Sequence, residues 1–294
     1  MSLQRLAALD TQNPEWRPWI AMVRVLGPSI DDPVWVRPVS TRLNAHTDRP
    51  LLDGAQLHVP QRAASTLVRT LLDLAPRAER VAPSARERWI ETRLLPLLQK
   101  SIAADHEVDE NHDGNEGDEG EEMDRHSGVT PGALLTVVNA VALPVLTAAA
   151  AQCAPQLPTH WPHCGCPVCG APPALTELIG LDRSRRLRCA RCGTGWATST
   201  LRCAFCGQTD HEQLGALVAE TALDGPRVET CARCRGYLKT VAVLSQGSHL
   251  DVLIADLESV TLDLAAHAAG FVRPGGTGRA LACTVAWSPS GVAR

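Results

Sequence analysis

Residues 166–207 read CPVCGAPPALTELIGLDRSRRLRCARCGTGWATSTLRCAFCG, and residues 228–239 add VETCARCRGYLK. Four Cys-x-x-Cys pairs stand in these stretches: Cys166/Cys169, Cys189/Cys192, Cys203/Cys206 and Cys231/Cys234. Between Cys169 and Cys189 lie 19 residues, and between Cys206 and Cys231 lie 24, which suits two consecutive four-cysteine ribbons. Two residues between cysteines let one tight turn aim both sulfurs at a single ion about 2.3 Å away, and a second such turn completes the tetrahedron. Gly170, Gly193 and Gly207 directly follow the second cysteine of their pairs, where a positive φ turns backbone amides toward the sulfurs; the fourth pair has Arg235 and then Gly236. Apolar residues at Leu175, Leu178, Ile179 and Leu187, and again at Leu214, Leu217 and Val218, predict short strands between the turns.

The expected fold class is therefore α+β: an N-terminal α-helical bundle, two tandem rubredoxin-like or zinc-ribbon β modules, and a C-terminal amphipathic helix. The reading divides the chain into a helical domain 1–160, ribbons at 161–200 and 201–245, a helix within 246–274 and a loose tail 275–294. Helical stripes at Ala64, Leu67, Val68, Leu71 and Leu72, and at Trp89, Ile90, Leu94, Leu97 and Leu98, support the bundle. Thr130-Pro131 supplies a cap and a first-turn proline for an apolar helix from Ala133 to Ala154. That segment carries Asn139, Pro144 and Gln152 and leans on alanine, so it reads as a buried helix and not as a membrane span. Leu250, Leu253, Leu257, Val260 and Leu264 recur at helical steps before Gly270, which marks a stop.

Eleven cysteines in a 294-residue chain whose start lacks a secretory signal predict a cytoplasmic protein that uses thiols for metal or redox chemistry. A thioredoxin-type site needs one Cys-x-x-Cys beside a βαβ pattern, and iron–sulfur binding runs crowd three cysteines together; neither pattern occurs here. Cys164, His160 and His163 are spare, since both four-ligand sets are complete without them. Tetrahedral sulfur suits iron and zinc alike. The run 105–125 holds 11 of the 32 acidic residues and predicts a disordered acidic loop over 105–128. Without it, 27 basic residues face 21 acidic ones, so the formal net charge of −4 misdescribes the rest of the chain.

With CPVCGAPP (166–173), LRCARCGTGW (187–196), LRCAFCG (201–207), VETCARCRGYLK (228–239) and DLESVTLDLAAHAAGFVRP (256–274), the segment 164–274 resembles the formate dehydrogenase accessory protein family, FdhE. The resemblance implies a cytoplasmic, chaperone-like helper that binds the catalytic subunit of molybdopterin-dependent formate dehydrogenase during maturation. It also implies two metal ions, iron favoured over zinc, on Cys166, Cys169, Cys189, Cys192, Cys203, Cys206, Cys231 and Cys234. No catalytic constellation can be assembled from the motifs, which predicts a non-enzyme. No membrane insertion is expected, and a homodimer is left open.

The rival reading is a zinc-ribbon nucleic-acid-binding protein, motivated by Arg183, Arg185, Arg186, Arg188, Arg191 and Arg202. Charge weakens it. From residue 155 onward 13 Lys and Arg face 11 Asp and Glu, and eight thiolates around two dications turn that small positive excess negative.

Overall fold

The computed structural model of the protein describes residues 2–37, 39, 48–76, 81–103, 125–218, 225–274 and 279–288. The acidic run expected to be disordered lies almost wholly outside them.

Among the described residues five α-helices build the N-terminal part: α1 Ser2–Gln12, α2 Arg17–Ile30, α3 Gln61–Leu74, α4 Pro83–Ala103 and α5 Pro131–Cys153. The stripe read on α3 is buried at all five positions, and on α4 Trp89, Ile90, Leu94 and Leu98 are buried with Leu97 packed beside them. Helix α5 starts where the cap was expected: the Thr130 side chain accepts from the Ala133 amide, and Pro131 occupies the first turn. Its apolar residues face α2, α3 and α4, so this is the central helix of the core. Ser101 on α4 donates to Asn139 on α5, which satisfies the polar side chain that counted against a membrane span.

The ribbons form six strands: β2 Leu175–Ile179, β3 Ser184–Arg188, β4 Gly195–Ala197, β5 Leu214–Leu217, β6 Arg227–Cys231 and β7 Tyr237–Val243. Each ribbon is an antiparallel three-stranded meander, and the two are fused. Strand β2 pairs in parallel with β7, from Leu175 opposite Lys239 to Ile179 opposite Val243, giving one sheet in the order β4-β3-β2-β7-β6-β5. The central pair is accordingly the most buried.

Two features depart from the sequence reading. The C-terminal helix expected as one piece is two, α6 His249–Glu258 and α7 Val260–Ala268, because the chain bends at Ser259 (φ −107°, ψ 20°). The Ser259 hydroxyl donates back to the Ala255 carbonyl. The break lets each half follow a different surface: Leu250, Ile254 and Leu257 pack with Leu6, Leu9 and Ile20, while Ala266 packs with Val228 and Tyr237. Leu264, read as part of the apolar stripe, is left exposed. Gly270 ends α7 as expected, with φ +79°.

The tail expected to be loose is, in its described part, built into the helical core. Strand β8 Thr284–Trp287 pairs in parallel with β1 Gln56–Val59, and the Leu281 amide donates to the Ala103 carbonyl at the end of α4. Burial of Leu281 and Cys283 against the helices supplies the driving force that the loop-like composition of the tail concealed.

Candidate metal centres

Each Cys-x-x-Cys pair sits on a tight turn closed by backbone hydrogen bonds. The Gly170 amide donates to Cys166 O at 2.9 Å, Gly193 to Cys189 O at 3.1 Å and Gly207 to Cys203 O at 3.1 Å. These glycines take the φ values of +73°, +72° and +71° that the sequence anticipated. At the fourth turn Arg235 adopts φ +58° despite its side chain. Tertiary contacts hold it there: its guanidinium donates to the carbonyls of Ala269 and Gly270 at the end of α7 and lies 4.4 Å from the Phe271 ring centroid.

The eight sulfurs gather in two groups, Cys166/Cys169/Cys189/Cys192 and Cys203/Cys206/Cys231/Cys234, with all four sulfurs of each group within 4.8 Å of one another. Cross-pair separations are 3.6 Å (Cys166–Cys192) and 3.5 Å (Cys169–Cys189) in the first, and 3.7 Å (Cys203–Cys234) and 3.8 Å (Cys206–Cys231) in the second. Four sulfurs held about 2.3 Å from one ion lie about 3.8 Å apart, whereas a disulfide would bring two to about 2.05 Å. Each group could therefore hold a metal ion, and Cys164, Cys153 at the end of α5 and Cys283 in the tail belong to neither. In the first group, hydrogen bonds from Cys166, Cys189 and Cys192 hold the Cys169 thiol well below the usual thiol range, while burial pushes Cys166 and Cys192 well above it. Four thiols packed this closely in a buried site are deprotonated together only with a cation at their centre.

The groups differ in setting. All four cysteines of the first are buried, whereas Cys206 and Cys234 of the second are exposed. The helical body closes over the first group by hydrogen bonds to its turns. Leu51 and Leu52 amides donate to the carbonyls of Pro167 and Val168, and an Arg191 Nη donates to Ser101 O on α4. His249, at the start of α6, joins the second turn of this group to α5. Burial holds its pKa below the usual value; Nε2 donates to Ala190 O at 2.6 Å, and Nδ1 lies 2.7 Å from the Thr147 hydroxyl. No local signal marked this role; the partners are 59 and 102 residues away.

The arginines that motivated a nucleic-acid interface are largely engaged within the fold. Arg188 is buried, pairs with Glu177 and donates to the carbonyls of Gly193 and Gly247. Arg185 pairs with Glu229 across the junction of the two ribbons, and Arg202 donates to Pro162 O. Glu229, Tyr237 and Lys239 are structural as well: the Tyr237 hydroxyl and the Lys239 ammonium meet the two oxygens of Asp263, which fastens α7 to the sheet.

Residues 201–277, which contain the second group entire, match the family model described as FdhE, C-terminal domain. The chain carries an FdhE-type C-terminal domain. The FdhE resemblance read from the cysteine segment is thus borne out, and relatives agree. Proteins named Protein FdhE homolog from Aquifex aeolicus and Shewanella baltica are 32% identical over 111 residues and 33% identical over 108. The first alignment covers 37% of this chain and 38% of the relative, the second 36% and 35%, so the aligned stretch spans just over a third of the curated FdhE homologs. A crystal structure of the FdhE protein from Pseudomonas aeruginosa superposes with a TM-score of 0.50 at 22% identity, covering 95% of this chain and 92% of that one. That likeness extends the FdhE-type fold to the helical part.

Proposed function

We propose that the protein is a non-enzymatic accessory factor for the maturation of molybdopterin-dependent formate dehydrogenase. In this reading it binds the catalytic subunit in the cytoplasm and carries one ion on Cys166, Cys169, Cys189 and Cys192 and another on Cys203, Cys206, Cys231 and Cys234. The observation that carries the proposal is the pairing of an FdhE-type domain with two complete four-thiol groups of tetrahedral dimensions. Four sulfur ligands close each centre and leave no position for a reactive water, which favours holding or one-electron chemistry over hydrolysis. Iron is favoured over zinc by the family resemblance. The helical body 1–160 and the ribbons act together in holding the client, since one core runs through them.

The test is co-purification with a formate dehydrogenase catalytic subunit, with metal content and absorption spectrum measured on protein isolated without oxygen. About two ions per chain and a recovered catalytic subunit are expected. Intact, metal-loaded protein that captures no such subunit refutes the client assignment.

A further inference from the structure

We propose that the two four-cysteine centres have divided roles: the first is a fixed fastener between helices and sheet, and the second exchanges its ion with solvent through Cys206 and Cys234. This rests on the reading above that both groups hold metal.

All four cysteines of the first centre are enclosed. Residues 166–171 are all buried, and Cys189 and Cys192 are buried too. The four cysteines belong to the same apolar cluster as α3, α4 and α5. Its turns are held from outside by Leu51, Leu52, Ser101 and His249. A competing ligand reaches those sulfurs only after the helical body parts from the sheet, an opening that disrupts much of the core.

The second centre is held by its own ribbon. Cys203 and Cys231 are buried, but the turn Ala232–Arg235 is exposed throughout, and so is Cys206. One edge of the sulfur tetrahedron, Cys206 and Cys234, therefore faces water in the folded protein. Ligand exchange at a four-thiolate ion proceeds by an incoming thiolate or chelator taking the place of one sulfur, and only here can that begin without unfolding. Arg233, exposed in the same turn as Cys234, adds positive charge near this edge, which favours approach of an anionic thiol or chelator.

The experiment uses the full-length, metal-loaded protein. A colorimetric chelator is added and ion release followed in time, while parallel samples are pulsed with iodoacetamide and the labelled cysteines mapped by mass spectrometry. Half of the metal should leave about tenfold or more faster than the rest, with Cys206 and Cys234 labelled first and Cys166, Cys169, Cys189 and Cys192 protected. Cys206→Ser should abolish the fast phase, retain one ion and keep the far-ultraviolet helical signal. Release of both ions at one rate, or early labelling of the first-centre cysteines, overturns the division. Protein that carries no metal fails the parent reading on the metal count, before chelator is added, and the division falls with it.

Discussion

At Gly193 a methyl group would lie 2.7 Å from Cβ of His249, on a backbone at φ +72°. Gly193→Ala therefore meets both strain and collision and should lower stability by about 2–3 kcal/mol in urea denaturation. Gly132, in the first turn of α5, has nothing within 4 Å of the corresponding point, and Gly132→Ala should raise stability by about 0.5–1 kcal/mol. A second residue-scale prediction concerns Cys283, whose thiol burial pushes up to about 11. Its folded pKa lies above the unfolded value of about 8.5, so the unfolded chain gives up the proton first. Stability from this group is complete below that range and is lost as pH rises from there toward the folded pKa. Cys283→Ala should flatten the alkaline fall in the urea midpoint, a difference of about 2 kcal/mol by about pH 10. The grouping of the eight cysteines and the turns made by the three glycines were legible because they follow from spacing within a few residues. Arg235 was not, since what allows its left-handed backbone comes from Ala269, Gly270 and Phe271, on the far side of β7 and two helices.

Among the elements, the strands and the helix starts are set locally and the junctions are not. Ser248 and Asp251 form a reciprocal capping box at α6, so Ser248→Ala should cost about 1 kcal/mol, read from thermal denaturation. The apolar spacing from Leu250 to Leu264 runs through Ser259 without interruption, and nothing in it announces a bend. The bend arises because α1 and α2 present one surface and β6 and β7 another, and a straight helix would leave one uncovered. The parallel union of β2 with β7 was equally hidden, because a ribbon read alone has no reason to expect a partner strand some 60 residues away. At that union Glu177 and Arg188 are 4% and 1% exposed, and Glu177→Ala would strand a buried guanidinium. A loss of about 3–5 kcal/mol is expected, with unfolding followed by circular dichroism; a change under about 1 kcal/mol would show that the pair contributes little.

For the whole molecule, the β1–β8 pair carries the largest consequence for integrity. A chain ending at residue 278 would leave β1 unpaired and expose the apolar surface that Leu281 and Cys283 cover. Such a truncation should aggregate or lose its cooperative melting transition, whereas a chain ending at 288 should keep it. The tail concealed this role because its glycines, prolines and serines outnumber its core residues, and the strand it completes begins more than 200 positions earlier. The helical class of the first part was readable from periodicity, yet its dependence on the last described strand is a property of the assembled core alone.

That dependence orders events during synthesis. The cysteines of each group lie in one short stretch of sequence, so both ribbons can assemble while the chain is still being made. The helical body is translated first but lacks its closing strand until residues 281–288 leave the ribosome. The earliest-made part of the protein is thus the last to close, onto a sheet already assembled.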